Sequence, residues 1–236
     1  MYRTPSFLDR LRGTASLYII GVTVFFYILQ NISTIFLGDD LLLYIGAKIN
    51  YFIFQGQFWR FFTPVFLHGS LLHLGFNMYA LYAIGPSLEK RFGTRSFLLL
   101  YFFGAIFGNI FSFIFSPNIS LGSSTAIFGL IAAQGVYIYK NRLLLGSVAN
   151  AMLRSVLMVI GINLVLGLSP GIDNWGHLGG LAGGFLYSWF AGPSFGISEN
   201  VFGENVIVRE RKQTTLVISG LFLLAVLLVT LKFLIS

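Results

Sequence analysis

Three histidines, His68, His73 and His177, and a run of three hydroxyls, Ser123, Ser124 and Thr125, lie within or beside strongly apolar stretches. His177 stands in W-G-H-L-G-G near the start of one apolar run, and G-S-S-T-A-I-F-G opens another with Ser124 at its head. Polar and ionisable side chains inside a bilayer are expensive to place and mark function by default. A hydroxyl beside a neutral imidazole is the minimal nucleophile and base, because the ring can take the hydroxyl proton near neutral pH. Those residue types together point to hydrolysis inside a membrane.

Each candidate has a plainer reading beside it. A serine in a membrane helix often bonds back to the preceding turn, and three adjacent hydroxyls leave the nucleophile open among Ser123, Ser124 and Thr125. Gly122 allows a tight entry into the helix. The helix start offers free N–H groups and a positive dipole end, which suit an oxyanion. A metal site finds no support in the sequence: no cysteine is present, and neither an H-E-x-x-H motif nor an acidic cluster accompanies His177. Gly176, Gly179, Gly180, Gly183 and Gly184 strip the His177 helix of bulk, so that a second helix can approach closely. His73 and Asn77 stand four apart and share a helix face, as a pair of oxyanion donors or as an interhelical clamp. Phe128, four residues after Ser124, either packs on the imidazole or faces lipid. Asp173 lies four before His177, but D-N-W-G-H reads as a helix start with Asp173 capping the backbone. His68 is expected to support a loop edge.

These residues must be held by helices. The chain has 236 residues, 56% of them hydrophobic and 10% charged, with a mean hydropathy of +0.82. Soluble domains carry about 25% charged residues, so the composition indicates an integral membrane protein. Seven apolar segments run near 15–36, 70–88, 95–116, 123–140, 152–168, 174–191 and 214–235, each close to the ~20 residues that cross a bilayer core. The first is long and no A-x-A pattern follows it, so it is expected to be a retained span. The expected organisation is an N-terminal cytoplasmic segment (1–14), a six-span core (15–191), a cytoplasmic linker (192–213) and a seventh span (214–236). The core includes an apolar first loop, 37–69, expected to lie in the interface with Trp59, Tyr51 and Arg60 near the headgroups.

The net charge of +7 does not indicate nucleic acid, because the cations sit in short connections between spans. With the N-terminus inside, the inner side holds Arg3, Arg10, Arg12, Lys90, Arg91, Arg95, Lys140, Arg142, Arg154, Arg209, Arg211 and Lys212; the outer side holds only Lys48, Arg60 and Lys232. That asymmetry predicts a cytoplasmic N-terminus. The second, fourth and sixth spans then all enter from outside, with His73, Ser124 and His177 near their starts and at one depth. The arrangement is expected to lie in a bacterial plasma membrane, with an organellar membrane as the alternative. A transporter would require intramembrane charges or paired broken repeats; the spans hold almost no such charges and no clear repeat.

Together the motifs resemble the rhomboid family of intramembrane serine proteases. Q-F-W-R-F-F-T-P-V-F-L-H is similar to that family's first-loop signature, carried by Trp59 and Arg60; H-L-G-F-N resembles its H-x-x-x-N, G-S-S-T-A-I-F-G its G-x-S-G-A-x-x-G, and G-H-L-G-G its A-H-x-G-G. The resemblance spans residues 15–191. It implies an all-α polytopic bundle, a six-helix rhomboid-like core plus one C-terminal transmembrane helix. It also implies Ser124 as nucleophile rather than Ser123 or Thr125, and His177 as general base without a required acid. His73, Asn77 and the Ser124 backbone N–H would form the oxyanion hole. No cofactor or metal is implied; the partners are membrane-protein substrates and the bilayer. Thr125 departs from the family glycine after the nucleophile, and Gly176 from the alanine before the histidine. The alternative is a non-catalytic rhomboid-like factor that binds membrane clients; such relatives typically lack the serine or the histidine, and both are present here.

Overall fold

The computed structural model describes residues 14–199, 205–209 and 213–235. The expected segment 1–14, with Arg3, Arg10 and Arg12, falls outside them except for Thr14, as do 200–204 and 210–212 of the expected linker. The chain runs α1 (Ala15–Leu37), α2 (Leu41–Gly46), α3 (Asn50–Phe54), two 3-10 turns (Phe58–Phe61 and Thr63–Phe66), α4 (Leu71–Phe92), α5 (Thr94–Phe115), α6 (Ser124–Lys140), α7 (Arg142–Leu145), α8 (Val148–Leu166), α9 (Asn174–Ala191), β1 (Phe195–Glu199), β2 (Asn205–Arg209) and α10 (Thr214–Leu234). Among the described residues, seven long helices of 17 to 23 residues each coincide with the seven expected apolar segments. This is a polytopic helical membrane protein.

Local chemistry sets the helix ends. Gly38 stops α1 in the left-handed conformation (φ 81°), its N–H returning to the Thr34 carbonyl. Ser70 caps α4 by accepting from the His73 N–H at 3.1 Å. The buried Glu89 carboxylate, near the end of α4, accepts from the free N–H groups of Ala15 (2.9 Å) and Ser16 (3.2 Å) and from Thr94 Oγ1 (2.8 Å). One anion therefore ties the starts of α1 and α5 to the end of α4; the N-terminal dipole ends of α1 and α5 and their free N–H groups favour it, against the dipole of α4 itself.

Apolarity and position in the bundle diverge in an informative way. α1, α5, α8 and α10 are each long and apolar enough to cross a membrane on composition alone. α5 has 61% of its most apolar window buried, against 11% for α8 and α10, so α5 is central and the other two are peripheral. α4, α6 and α9 contain the polar and glycine-rich motifs. α6 and α9 pack on α5 with almost no side-chain bulk between backbones. A Cβ on Gly180 would strike the Thr125 carbonyl oxygen, one on Gly184 the Gly129 backbone, and one on Gly104 would lie 3.2 Å from Gly129 Cα. Close approach without intervening side chains is how membrane helices gain dispersion contact when lipid removes any hydrophobic driving force. Phe97, Leu100, Phe107, Phe113, Leu130 and Tyr187 complete the buried centre.

The first loop and the linker differ from expectation. Arg60 does not reach for headgroups: it is 1% exposed and donates to the Ala47 carbonyl (2.6 Å), the Tyr44 carbonyl (2.8 Å) and Gln57 Oε1 (2.9 Å), with its guanidinium over the Phe52 ring. It satisfies the free carbonyls at the end of α2, a requirement the hydropathy of the segment does not reveal. Trp59 and Tyr51 are exposed, and the Trp59 ring N–H donates to the Ile45 carbonyl at 3.1 Å. The linker carries an antiparallel hairpin, Phe195 opposite Arg209 and Glu199 opposite Asn205. Its glycine and serine content masked the β-branched pattern of Asn205–Arg209. α10 leans on the first loop and on α5, with the Phe233 ring 4.9 Å from Phe54 and 6.1 Å from Phe58 of the loop and 6.0 Å from Phe113 of α5.

Candidate active site

Ser124 is the first residue of α6 and His177 sits in the first turn of α9. The glycine contact between these helices brings His177 Nε2 to 3.1 Å from Ser124 Oγ. That is hydrogen-bond distance for a nucleophile and its base. The neighbouring hydroxyls are closed off: Ser123 is 0% exposed and Thr125 3%, while Ser124 is half-buried. Among the three, only Ser124 combines an imidazole partner with an opening to the surroundings.

The imidazole is held from one face. Phe128, 4% exposed, stacks on His177 with centroids 4.2 Å apart and planes 14° from parallel. The lipid-facing alternative for Phe128 is excluded by its burial. Asp173 takes the capping position: its Oδ1 accepts from the Gly176 N–H at 2.9 Å. Its Oδ2 and His177 Nδ1 each lack a hydrogen-bond partner among the described residues, so the carboxylate and the imidazole are not joined as a third triad link.

His73 and Asn77 present the same face of α4 to the turn that leads into Ser124. Gly122, at φ 117°, has no room for a side chain there: a Cβ would lie 2.7 Å from both Cε1 and Nε2 of His73 and 3.7 Å from Asn77 Nδ2. Asn77 is buried, and its Nδ2 has no hydrogen-bond partner among the described residues. A buried amide left unpaired costs free energy, and this one lies next to the turn into Ser124.

His68 is closer to this centre than its loop-edge position indicates. Its Nε2 is 3.3 Å from Ser123 Oγ, and its ring meets His73 edge-on at 4.9 Å. Burial, reinforced by the neighbouring His73 ring, pushes the His68 imidazole down to about 3. It therefore supports the turn into Ser124 as a neutral ring. Gln30 on α1 fixes the His68 backbone, accepting from its N–H at 3.0 Å and donating to Asp40 at 2.7 Å. The sequence signal for this brace is Gln30 itself, a glutamine inside an apolar span. Trp59 and Arg60 belong to the loop that braces the site, where their side chains bond to Ile45, Ala47, Tyr44 and Gln57.

A sequence profile of the rhomboid domain matches residues 55–194, which include Ser124, His177, His73 and Asn77. The chain belongs to the rhomboid family. It is 36% identical over 199 residues to the rhomboid protease GluP of Bacillus subtilis (strain 168), an alignment covering 83% of this chain and 38% of GluP. It is 36% identical over 156 residues to rhomboid-like protease 1 of Toxoplasma gondii, covering 62% of this chain and 51% of that protein. It is 33% identical over 149 residues to the chloroplastic rhomboid-like protein 9 of Arabidopsis thaliana, covering 63% and 34%. The chain thus spans between about a third and a half of the length of these relatives.

The two departures from the rhomboid motifs meet in space. Thr125 points into the junction of α5, α6 and α9, where Gly108 and Gly176 leave room for it. A Cβ on Gly176 would lie 3.1 Å from Thr125 Cγ2, and one on Gly108 would lie 2.5 Å from Thr125 Cβ. The alanine usual before the histidine would meet the capping Asp173 carboxylate first, at 2.8 Å from Oδ2, and then the threonine methyl, so Gly176 leaves room for both.

Proposed function

We propose that this chain is an intramembrane serine endopeptidase whose nucleophile is Ser124 and whose general base is His177. The observation that carries the proposal is the 3.1 Å Ser124 Oγ to His177 Nε2 contact, and the protease names of two aligned relatives agree with it. With its proton on Nδ1, neutral His177 accepts the Ser124 proton at Nε2 while Ser124 Oγ attacks a peptide carbonyl. The Ser124 backbone N–H, Asn77 and His73 hold the oxyanion. The imidazolium then protonates the leaving amine, and water, deprotonated by the same ring, hydrolyses the acyl-enzyme. Phe128 holds the ring's rotamer throughout.

The substrate is a membrane-protein segment that must unwind locally, since an intact helix keeps its carbonyls in hydrogen bonds. Water must also reach Ser124, which favours a site near one membrane face. The distribution of Lys and Arg supports a cytoplasmic N-terminus, and with it a site open to the outer side. In this reading residues 15–191 form the catalytic core, 37–69 its rim, 192–213 a cytoplasmic connection and 214–236 an appended seventh span.

The test is cleavage of a model single-span substrate in liposomes by the wild-type chain, Ser124→Ala and His177→Ala. Cleavage by the wild type alone is expected. Wild-type rates in either variant would remove the dyad.

A further inference from the structure

The first loop contains a cation that the proposed chemistry does not use. Lys48 is 0% exposed, and its Nζ donates to the Ser116 carbonyl at 2.8 Å and the Asn118 carbonyl at 2.9 Å. Both acceptors lie just past the end of α5, where carbonyls have lost their helical partners. Asn50 Nδ2 donates to the Phe113 and Ser116 carbonyls at 3.2 and 3.1 Å. The Lys48 backbone is bridged to Ser120 in both directions: its N–H donates to the Ser120 carbonyl at 2.9 Å, and the Ser120 N–H to its carbonyl at 3.1 Å. Two residues on, the Gly122 N–H donates to the Pro64 carbonyl at 2.9 Å. The connection 116–123 is thus fastened to the first loop at four successive places, and it ends at Ser124.

Burying an ammonium is strongly unfavourable unless it is fully hydrogen-bonded. A neutral donor such as Asn50 already caps part of this helix end, so the charge at Lys48 calls for a separate reason. Resting on the protease reading above, we propose that Lys48 is a positioning residue. Its ammonium lashes the first loop to the 116–123 connection and so holds Ser124 at hydrogen-bond distance from His177.

Burial pulls the Lys48 amine down to about 8, with Asp173 opposing that shift. Among the described residues, Asp173 before α9 is the anion that acts on it. Arg60, bound to the adjacent Ala47 carbonyl, is a nearby cation. The contacts offered by the end of α5 and by Asn50 are uncharged. Above pH 8 the amine loses its charge and its bonds to the two carbonyls weaken, so the strap slackens on the alkaline side.

The experiment uses the full chain in liposomes with the single-span substrate. It compares the wild type with Lys48→Met, which keeps the length and removes the donors, and follows hydrogen exchange of the Ser120 and Gly122 amides. Lys48→Met should lower kcat about 10- to 100-fold, the scale of a displacement of about 1 Å at a reacting group. KM should be nearly unchanged, and protection at Ser120 should fall. In the wild type, kcat and the protection factor of Ser120 should decline together as pH rises through 8, which provides the test should the Met variant not fold. A Lys48→Met protein with wild-type kcat, or a wild type holding both quantities constant to pH 10, would overturn the proposal. A wild type that cleaves nothing would instead refute the protease reading, while the exchange of Ser120 would still decide whether the strap exists.

Discussion

The junction of α5, α6 and α9 sets the distance between Ser124 and His177, and Gly108 is one of its tight positions, the one that faces the Thr125 side chain. Gly108→Ala would place a Cβ 2.5 Å from Thr125 Cβ, 2.7 Å from Thr125 Cγ2 and 2.8 Å from the Gly176 carbonyl oxygen. Carbon atoms settle at about 3.5–4.0 Å, so α5 must retreat by roughly 1 Å, and overpacking of this kind costs about 1–3 kcal/mol. Both carbon clashes belong to one side chain. Thr125→Gly removes them together, leaving only the carbonyl contact. The double variant Gly108→Ala/Thr125→Gly should therefore be more stable than the sum of the single effects by about 1 kcal/mol or more, within the range for residues in direct contact. Equilibrium unfolding of the four proteins in one detergent closes the cycle. Effects that add to within about 0.5 kcal/mol, as independent sites do, would show that Thr125 and Gly108 do not share that space. Proteolysis by the single Gly108→Ala variant should fall as well, because α6 and α9 cannot both follow α5 outward.

Three further outcomes follow from the same geometry. Phe128→Ala removes a stacked ring worth about 1 kcal/mol, so kcat should drop about fivefold with KM little changed; an unaltered kcat would mean that the stack does not orient His177. Asn77→Ala should lower kcat by about 10²–10³-fold, the loss seen for a single oxyanion donor, and an unchanged rate would remove Asn77 from the oxyanion hole. His68 is held near 3 when folded, against an ordinary 6.5. Its neutral form is therefore favoured by the fold, and stability is full above pH 6.5 and lost as pH falls from there toward 3, by up to about 1.4 kcal/mol per pH unit. Unfolding measured between pH 7 and pH 4.5 should show that slope, and His68→Gln should flatten it.

What the sequence reveals follows from which interactions are periodic. The seven helices were legible because each needs a long apolar run, and the observed ends lie within a few residues of the expected ones. The contact of Ser124 with His177 was legible because both stand in the first turns of their helices, and a glycine face indicates which helices touch. Contacts that join distant segments leave no such trace. Lys48 counts as a loop cation in any charge tally, and its carbonyl partners on the α5–α6 connection are 68 and 70 residues away. His68 reads as a loop edge until Gln30 of α1 and Ser123 are seen on either side of it. Composition gives Phe128 equally to lipid and to the imidazole, and packing alone decides. Thr125 and Gly176 look like two separate departures from the rhomboid motifs until the Cβ missing at 176 is found 3.1 Å from the threonine methyl.

The central claim is that Ser124 is the residue activated by His177. Its most direct test is covalent labelling of the membrane-embedded chain with a fluorophosphonate, followed by mass mapping of the modified peptide. The adduct should fall on Ser124, vanish in Ser124→Ala and be strongly slowed in His177→Ala. An adduct on Ser123 or Thr125, or labelling that persists in Ser124→Ala, would contradict it.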